Sequence, residues 1–142
     1  MELSGTVAMP VAADKWEIAE TLARYSFAVD FGNWSELDAV FAEDATAHYD
    51  MEAIGFGSVH LNGRPEIVAW LSASIPALGP SLPRHAMTNH IFDMNGDRAR
   101  TRSYLVAGRL GGGGIYTVDH VRTGQGWRVQ HFHLTNFKRN PD

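Results

Sequence analysis

The sequence predicts an α+β domain: helices come first, a curved, antiparallel sheet follows, and the helices pack on one face of it, an arrangement that can leave a pocket between them. Three observations carry this. Helix-start signals with a 3.6-residue apolar period are confined to the first half of the chain. From Pro83 onward, short strand-like runs take over. Between those runs stand turn residues at hairpin spacing: Asn95-Gly96, the glycines at 111–114, and Thr123-Gly124-Gln125-Gly126.

The elements follow in order. Residues 1–13, small and containing a proline, read as a flexible arm, so the domain is expected to occupy 14–138. Asp14 with Glu17 three positions on has the spacing of a capped helix start. Ile18, Leu22, Tyr25 and Val29 make one apolar stripe, and Trp16, Ala23, Phe27 and Asp30 a neighbouring one. The helix, ending near Asp30, is therefore expected to be buried along much of its girth. Gly32 suits the position just past its end, and Asn33 with Glu36 repeats the start signal for a shorter helix from Trp34 to about Phe41. "ATAHYDME" and "SVHL" read as strands. Gly63-Arg64-Pro65-Glu66 opens a third helix through Ile67, Trp70 and Leu71, with proline near its first position. Four strands remain: "RHAMTNHIFDM", "RARTRSYLVAGRL", "IYTVDHVR" and "WRVQHFHLTNF".

Composition excludes several classes of function. With 142 residues, 44% apolar and 20% charged, the chain is long enough for one real core and is not a disordered sequence. A net charge of -4 leaves no basic footprint for nucleic acid. The absence of cysteine removes disulfides, a thiolate nucleophile and thiolate metal sites. The N-terminal stretch lacks a basic segment followed by a long apolar one, and no run reaches membrane-spanning length. The expectation is a soluble, cytoplasmic protein without nucleic-acid or membrane partners.

A few polar residues stand out. Asp30 closes the first helix on a stripe otherwise made of Trp16, Ala23 and Phe27. A carboxylate there is disfavoured by apolar surroundings and by the negative end of the helix dipole. It either caps the turn between helices or pairs with a group that becomes cationic, for which a histidine is suited. The stretch "PRHAMTNHIF" supplies two. Strand parity puts His85, Met87 and Asn89 on one face and Arg84, Thr88 and His90 on the other, without deciding which face is inward. Tyr25 and Tyr49 are core aromatics with polar tips; Tyr25 and Asp30 stand roughly 140° apart around the helix. His131 and His133 share a face of the last strand, with His120 on the strand before, but no carboxylate cluster or H-E-x-x-H accompanies them, so no metal is expected. No lysine and helix follow the glycine run, and no G-x-S-x-G elbow occurs, so neither a phosphate loop nor a serine nucleophile is indicated.

Taken together, "RYSFAVDFGNWSELDAVFAEDATAHYD", "NGRPEIVAWL", "RHAMTNHIFDMNGDRARTRSYLVAG" and "GWRVQHFHLTNF" resemble the SnoaL-like branch of the NTF2-like superfamily, over about residues 14–137. The resemblance implies a cone of three helices wrapped by a bent sheet around a deep pocket, often dimeric through the outer sheet face. It includes scytalone dehydratase, bile-acid dehydratase, hexachlorocyclohexane dehydrochlorinase, polyketide cyclases and relatives of ketosteroid isomerase. In dehydratase-like members an Asp at the end of the first helix pairs with a His at the start of the strand after the third; Asp30 and His85 match those positions. Tyr25 matches a tyrosine five residues before that Asp, and Tyr49 a pocket tyrosine on the first strand. The scytalone enzyme's second pocket histidine has no counterpart here, its place falling near Arg109.

The resemblance implies a cofactor-independent, metal-free lyase acting on a small hydrophobic cyclic molecule. Asp30, His85, Tyr25 and Tyr49 would be its catalytic residues. Asn89, Phe27, Trp70, His131 and His133 are expected to line the substrate pocket. A cyclase, a ketosteroid-isomerase-like isomerase or a non-catalytic dimeric ligand-binding module are the alternatives. Whether Asp30 and His85 meet at hydrogen-bond distance in a roomy pocket separates the catalytic readings from the last.

Overall fold

A computed structural model describes residues 2–78, 85–106 and 113–138. Helix α1 spans Glu2–Phe31, a 3₁₀ turn Trp34–Ala39 follows, and strands β1 (Phe41–Met51) and β2 (Gly57–Asn62) precede helix α2 (Arg64–Ser74). Strands β3 (Ala86–Asn95), β4 (Arg98–Val106), β5 (Gly114–Thr123) and β6 (Gly126–Asn136) complete one six-stranded sheet of order β2-β1-β6-β5-β4-β3. Only β1 and β6 run parallel; the remaining neighbours are antiparallel. The architecture is thus the α+β arrangement expected, with helices in the first half packed against a curved sheet.

The expected stripe of α1 forms the core: Ile18, Leu22, Tyr25 and Val29 are all buried. They meet the inner face of the sheet, where Phe132 on β6 contacts the rings of Tyr25, Tyr49, Tyr116 and Phe41 at centroid distances of 4.4, 5.7, 5.0 and 5.9 Å. Burying aromatics of this size supplies most of the drive to close the sheet over the helix. The second stripe behaves differently. Trp16 and Phe27 are 76% and 66% exposed, so α1 is not buried around its girth; Ala23, Phe27 and Asp30 of that stripe border a cleft instead.

Two boundaries also move. The helix starts at Glu2 rather than Asp14, despite Gly5 and Pro10 within it. Asp14 and Glu17 do not cap it. Arg122 and the Trp127 indole N–H donate to the Asp14 carboxylate, and the Trp127 backbone N–H donates to Glu17. The acidic pair that imitates a cap in sequence ties α1 to the β5–β6 hairpin. Similarly, Asn33 caps the 3₁₀ turn with its backbone carbonyl, not its side chain, and Phe41 belongs to β1.

Two glycines are required by geometry. Gly32, at φ 72°, provides the left-handed residue that ends α1. At Gly114 a Cβ would fall 2.6 Å from the Thr135 carbonyl oxygen, so part of the glycine run exists to let β5 start against β6.

Candidate active site

Asp30 lies on the last turn of α1, and His85 immediately precedes β3. Their side chains meet: His85 Nδ1 is 2.7 Å from Asp30 Oδ1, and the His85 backbone N–H donates to Oδ2 at 3.4 Å. A carboxylate only accepts, so the ring proton sits on Nδ1 and the lone pair on Nε2, the arrangement of an oriented base. The pair is largely withdrawn from water, with side chains 8% and 13% accessible for Asp30 and His85.

The dyad stands in the wall of a cleft of about 470 Å³ between α1 and β3. From α1 come Ala19, Ala23, Ser26, Phe27, Asp30 and Phe31, recurring at helical spacing; β3 and the residue before it contribute His85, Ala86, Met87 and His90. The lining is apolar apart from the dyad, Ser26 and His90. The size and character are those of sites for small organic molecules.

Behind the dyad lie the buried rings of Tyr25, Tyr49, Tyr116 and Phe132. The Tyr25 and Tyr49 hydroxyls are hydrogen-bonded at 2.9 Å, and the Tyr25 ring meets the His85 ring edge-on at 6.4 Å. Burial raises both phenols well above their usual range, so both stay protonated. Tyr116, buried beside Tyr25, has a hydroxyl without a partner among the described residues.

A family model described as a SnoaL-like domain matches residues 10–133. The chain belongs to the SnoaL-like family. Among relatives, an uncharacterized protein of Mycobacterium tuberculosis is 33% identical over 127 residues, covering 82% of this chain and 81% of that one. A solved structure of a protein from Kribbella flavida superimposes with a TM-score of 0.68 at 26% identity, covering 89% of this chain and 92% of that one. An NTF2-like protein with a cystatin-like fold from Novosphingobium aromaticivorans gives 0.76 at 22% identity, covering 92% and 86%. The chain is therefore a SnoaL-like protein, and its curved sheet and helices share the fold of that NTF2-like structure.

Within this SnoaL-like domain the sequence-predicted residues divide. Asp30, His85 and Phe27 come together at the cleft. Tyr25 and Tyr49 meet each other behind it and do not line it. Trp70 packs on the Tyr49 ring at 4.5 Å, as core rather than cleft wall. His131 and His133 lie on the outer sheet face, because Phe132 and Leu134 between and beside them take the inner one. There His131 bonds Thr46 at 2.6 Å, and His133 stacks on His48, itself stacked on His60. Among the described residues no group of three or more His, Asp or Glu side chains could hold a metal.

Asn89 is the clearest correction. It adopts φ 60°, is exposed, and sits where the pairing of β3 with β4 slips between Thr88 and Ile91. This β-bulge adds a residue and inverts the alternation, so His90, expected to face away, turns into the cleft. His90 Nδ1 is 2.6 Å from the Ser103 hydroxyl oxygen, and burial lowers its pKa. Sequence reasoning missed Ser26 as well. It lies one turn before Asp30 on the same helix face, a signal the 3.6 period carries, and its buried hydroxyl oxygen has no partner among the described residues. Arg84 and Arg109 lie outside the described residues.

Proposed function

We propose that this protein is a cofactor-independent, dehydratase-like lyase in which His85, oriented by Asp30, abstracts a proton from a small hydrophobic cyclic substrate. The observation that carries the reading is the 2.7 Å Asp30–His85 bond in the wall of an apolar cleft. The cleft's volume admits a ring-containing molecule, and the aromatic wall of Phe27 and Phe31 favours one.

The chemistry follows from the pair. His85 Nε2 takes a proton from carbon next to a carbonyl, and the Asp30 carboxylate stabilises the imidazolium that forms. The electron pair left on carbon delocalises onto the carbonyl oxygen. It then expels a hydroxyl group, which leaves as water with the proton returned by His85. Return of the proton to carbon instead gives isomerisation, the second outcome the same groups support. Tyr25 keeps the His85 ring in place by edge contact, and the Tyr49 hydroxyl fixes Tyr25 in turn. This assigns the two tyrosines to positioning, since neither borders the cleft. A homodimer and a cytoplasmic location remain part of the reading; among the described residues no helix is long and apolar enough to cross a membrane.

The test is turnover of a panel of cyclic hydroxyketones and hydroxysteroids, followed by the ultraviolet absorbance of the conjugated ketone formed. Wild type is compared with Asp30→Asn and His85→Ala. Dehydration by wild type alone supports the proposal; dehydration unchanged in His85→Ala removes it.

A further inference from the structure

His90 is placed by a device that has no other evident use. Regular alternation along β3 would turn it to the outer face; the bulge at Thr88 and Asn89, with Asn89 held at φ 60°, turns it into the cleft. Non-glycine residues in this backbone region are uncommon, and bulges recur where a side chain must be re-aimed.

The ring's protonation follows from its partner. Ser103 is 3% exposed, and among the described residues its hydroxyl has one hydrogen-bond partner, His90 Nδ1. A buried O–H needs an acceptor, so Ser103 donates to Nδ1 and the ring proton sits on Nε2. His90 is thus the tautomeric opposite of His85: one histidine carries a lone pair on Nε2, the other an N–H. Burial keeps the His90 ring neutral, which preserves that arrangement at ordinary pH.

Spacing decides what this donor can reach. Five positions along a strand, shortened by the bulge, separate the two Cα atoms by roughly 13–16 Å at about 3.3 Å per residue. His90 therefore does not share the reacting atoms with His85. It can hold a second, remote polar group on the same ligand. Between the two, Met87 and Ala86 offer only apolar surface, with Phe27 and Phe31 across the cleft.

We propose that His90, re-aimed by the bulge and oriented by Ser103, is a specificity anchor that donates a hydrogen bond from Nε2–H to an oxygen at the far end of the ligand. The ligand class is then an elongated, ring-containing hydrophobic molecule with oxygen functions at both ends, one facing the dyad and one facing His90. This rests on the cleft being the substrate site and deepens that reading.

An isosteric pair of probes reads the anchor without chemistry: 2-acetylnaphthalene, whose carbonyl oxygen accepts, and 2-isopropenylnaphthalene, which has a CH₂ in its place. Affinities are measured by fluorescence titration with wild type, His90→Leu and Ser103→Ala, and the His90 tautomer by long-range ¹H–¹⁵N NMR. Wild type is expected to bind the ketone about 3- to 10-fold more tightly than the alkene, the worth of one neutral hydrogen bond. His90→Leu should erase the preference while retaining alkene binding, which also shows that the variant is folded. Ser103→Ala should weaken the preference, and the wild-type ring should show the Nε2–H tautomer. Equal affinities in wild type, a preference that survives in His90→Leu, an Nδ1–H tautomer, or no binding of either probe would each overturn the proposal. Neither probe has a leaving group. A protein that distinguishes them through His90 but dehydrates nothing keeps the anchor and loses the lyase reading; a dehydratase that treats them alike does the reverse.

Discussion

The Asp30 carboxylate holds His85 at two points, accepting from the ring Nδ1–H at 2.7 Å and from the backbone N–H at 3.4 Å. One side chain on α1 thereby fixes both the orientation of the imidazole and the start of β3. It also satisfies a carboxylate that the helix dipole and the apolar stripe would otherwise disfavour. Site and fold are coupled through this one residue.

The two buried phenols behind the dyad should be coupled in stability. Tyr25→Phe strips Tyr49 of its hydrogen-bond partner inside the core, with an expected cost of about 1–3 kcal/mol. Tyr25→Phe combined with Tyr49→Phe removes both hydroxyls of this pair, so neither is orphaned, and should cost less than the two single changes added together. Urea denaturation of the four proteins checks the sign of the interaction.

His120 predicts a pH dependence. It is 1% exposed, its Nε2 bonds Thr101, its Nδ1 has no partner among the described residues, and burial pushes its pKa down to about 4. Between pH 6.5 and about 4 the unfolded chain binds a proton there and the folded protein does not, so stability falls as pH falls. A shift of this size corresponds to roughly 3 kcal/mol across that window. Burial lowers the pKa of His48 and His90 as well, adding slope of the same sign. His120→Gln should flatten the dependence of the denaturation midpoint between pH 6.5 and 4.5. An unchanged slope would contradict the assignment.

Asp14 acts lower on the pH scale and in the other protonation sense. Bonds from Arg122, then Trp127, hold its carboxyl below the ordinary aspartate value. The stabilisation is present above that value and is lost as pH falls through the lower, folded-state pKa. Asp14→Ala should destabilise the protein by about 1–2 kcal/mol at neutral pH and reduce the steepness of acid unfolding below pH 4. Thermal melts across pH 2.5–7 measure both effects.

The bulge gives a backbone prediction. Asn89→Gly fits φ 60° without strain and should change stability by less than about 1 kcal/mol in either direction. Asn89→Val resists that conformation and should cost about 1–3 kcal/mol. In the valine variant the His90–Ser103 hydrogen bond should weaken too, as read by the His90 ¹⁵N shifts. A valine variant with wild-type stability and wild-type His90 shifts would mean the bulge does not depend on Asn89.

How far the sequence reaches can be seen in these same residues. The helix-then-sheet order and the buried stripe of Ile18, Leu22, Tyr25 and Val29 follow from periodicity alone. Asp30 stood out because a carboxylate interrupts an apolar stripe, and its pairing with His85 followed from family resemblance. Ser26 was readable from the same helix face. Asn89 and His90 were not, because period-two reasoning assumes an unbroken ladder and one inserted residue exchanges the faces. His131 and His133 went astray for a related reason: alternation separates the two faces of β6 but does not say which one is inward. Asp14 and Glu17 carry the spacing of a helix cap, yet their partners lie at Arg122 and Trp127, far along the chain. Local pattern has no access to such contacts.

The most direct test of the central claim is proton abstraction itself, followed without any leaving group. Cyclic ketones of one to four rings are incubated with the protein in D₂O, and deuterium entering at the carbon beside the carbonyl is followed by NMR. The account predicts protein-catalysed exchange for ring systems that fit the cleft, falling at least about 10²-fold in His85→Ala and substantially in Asp30→Asn. Exchange at the wild-type rate in His85→Ala would contradict it.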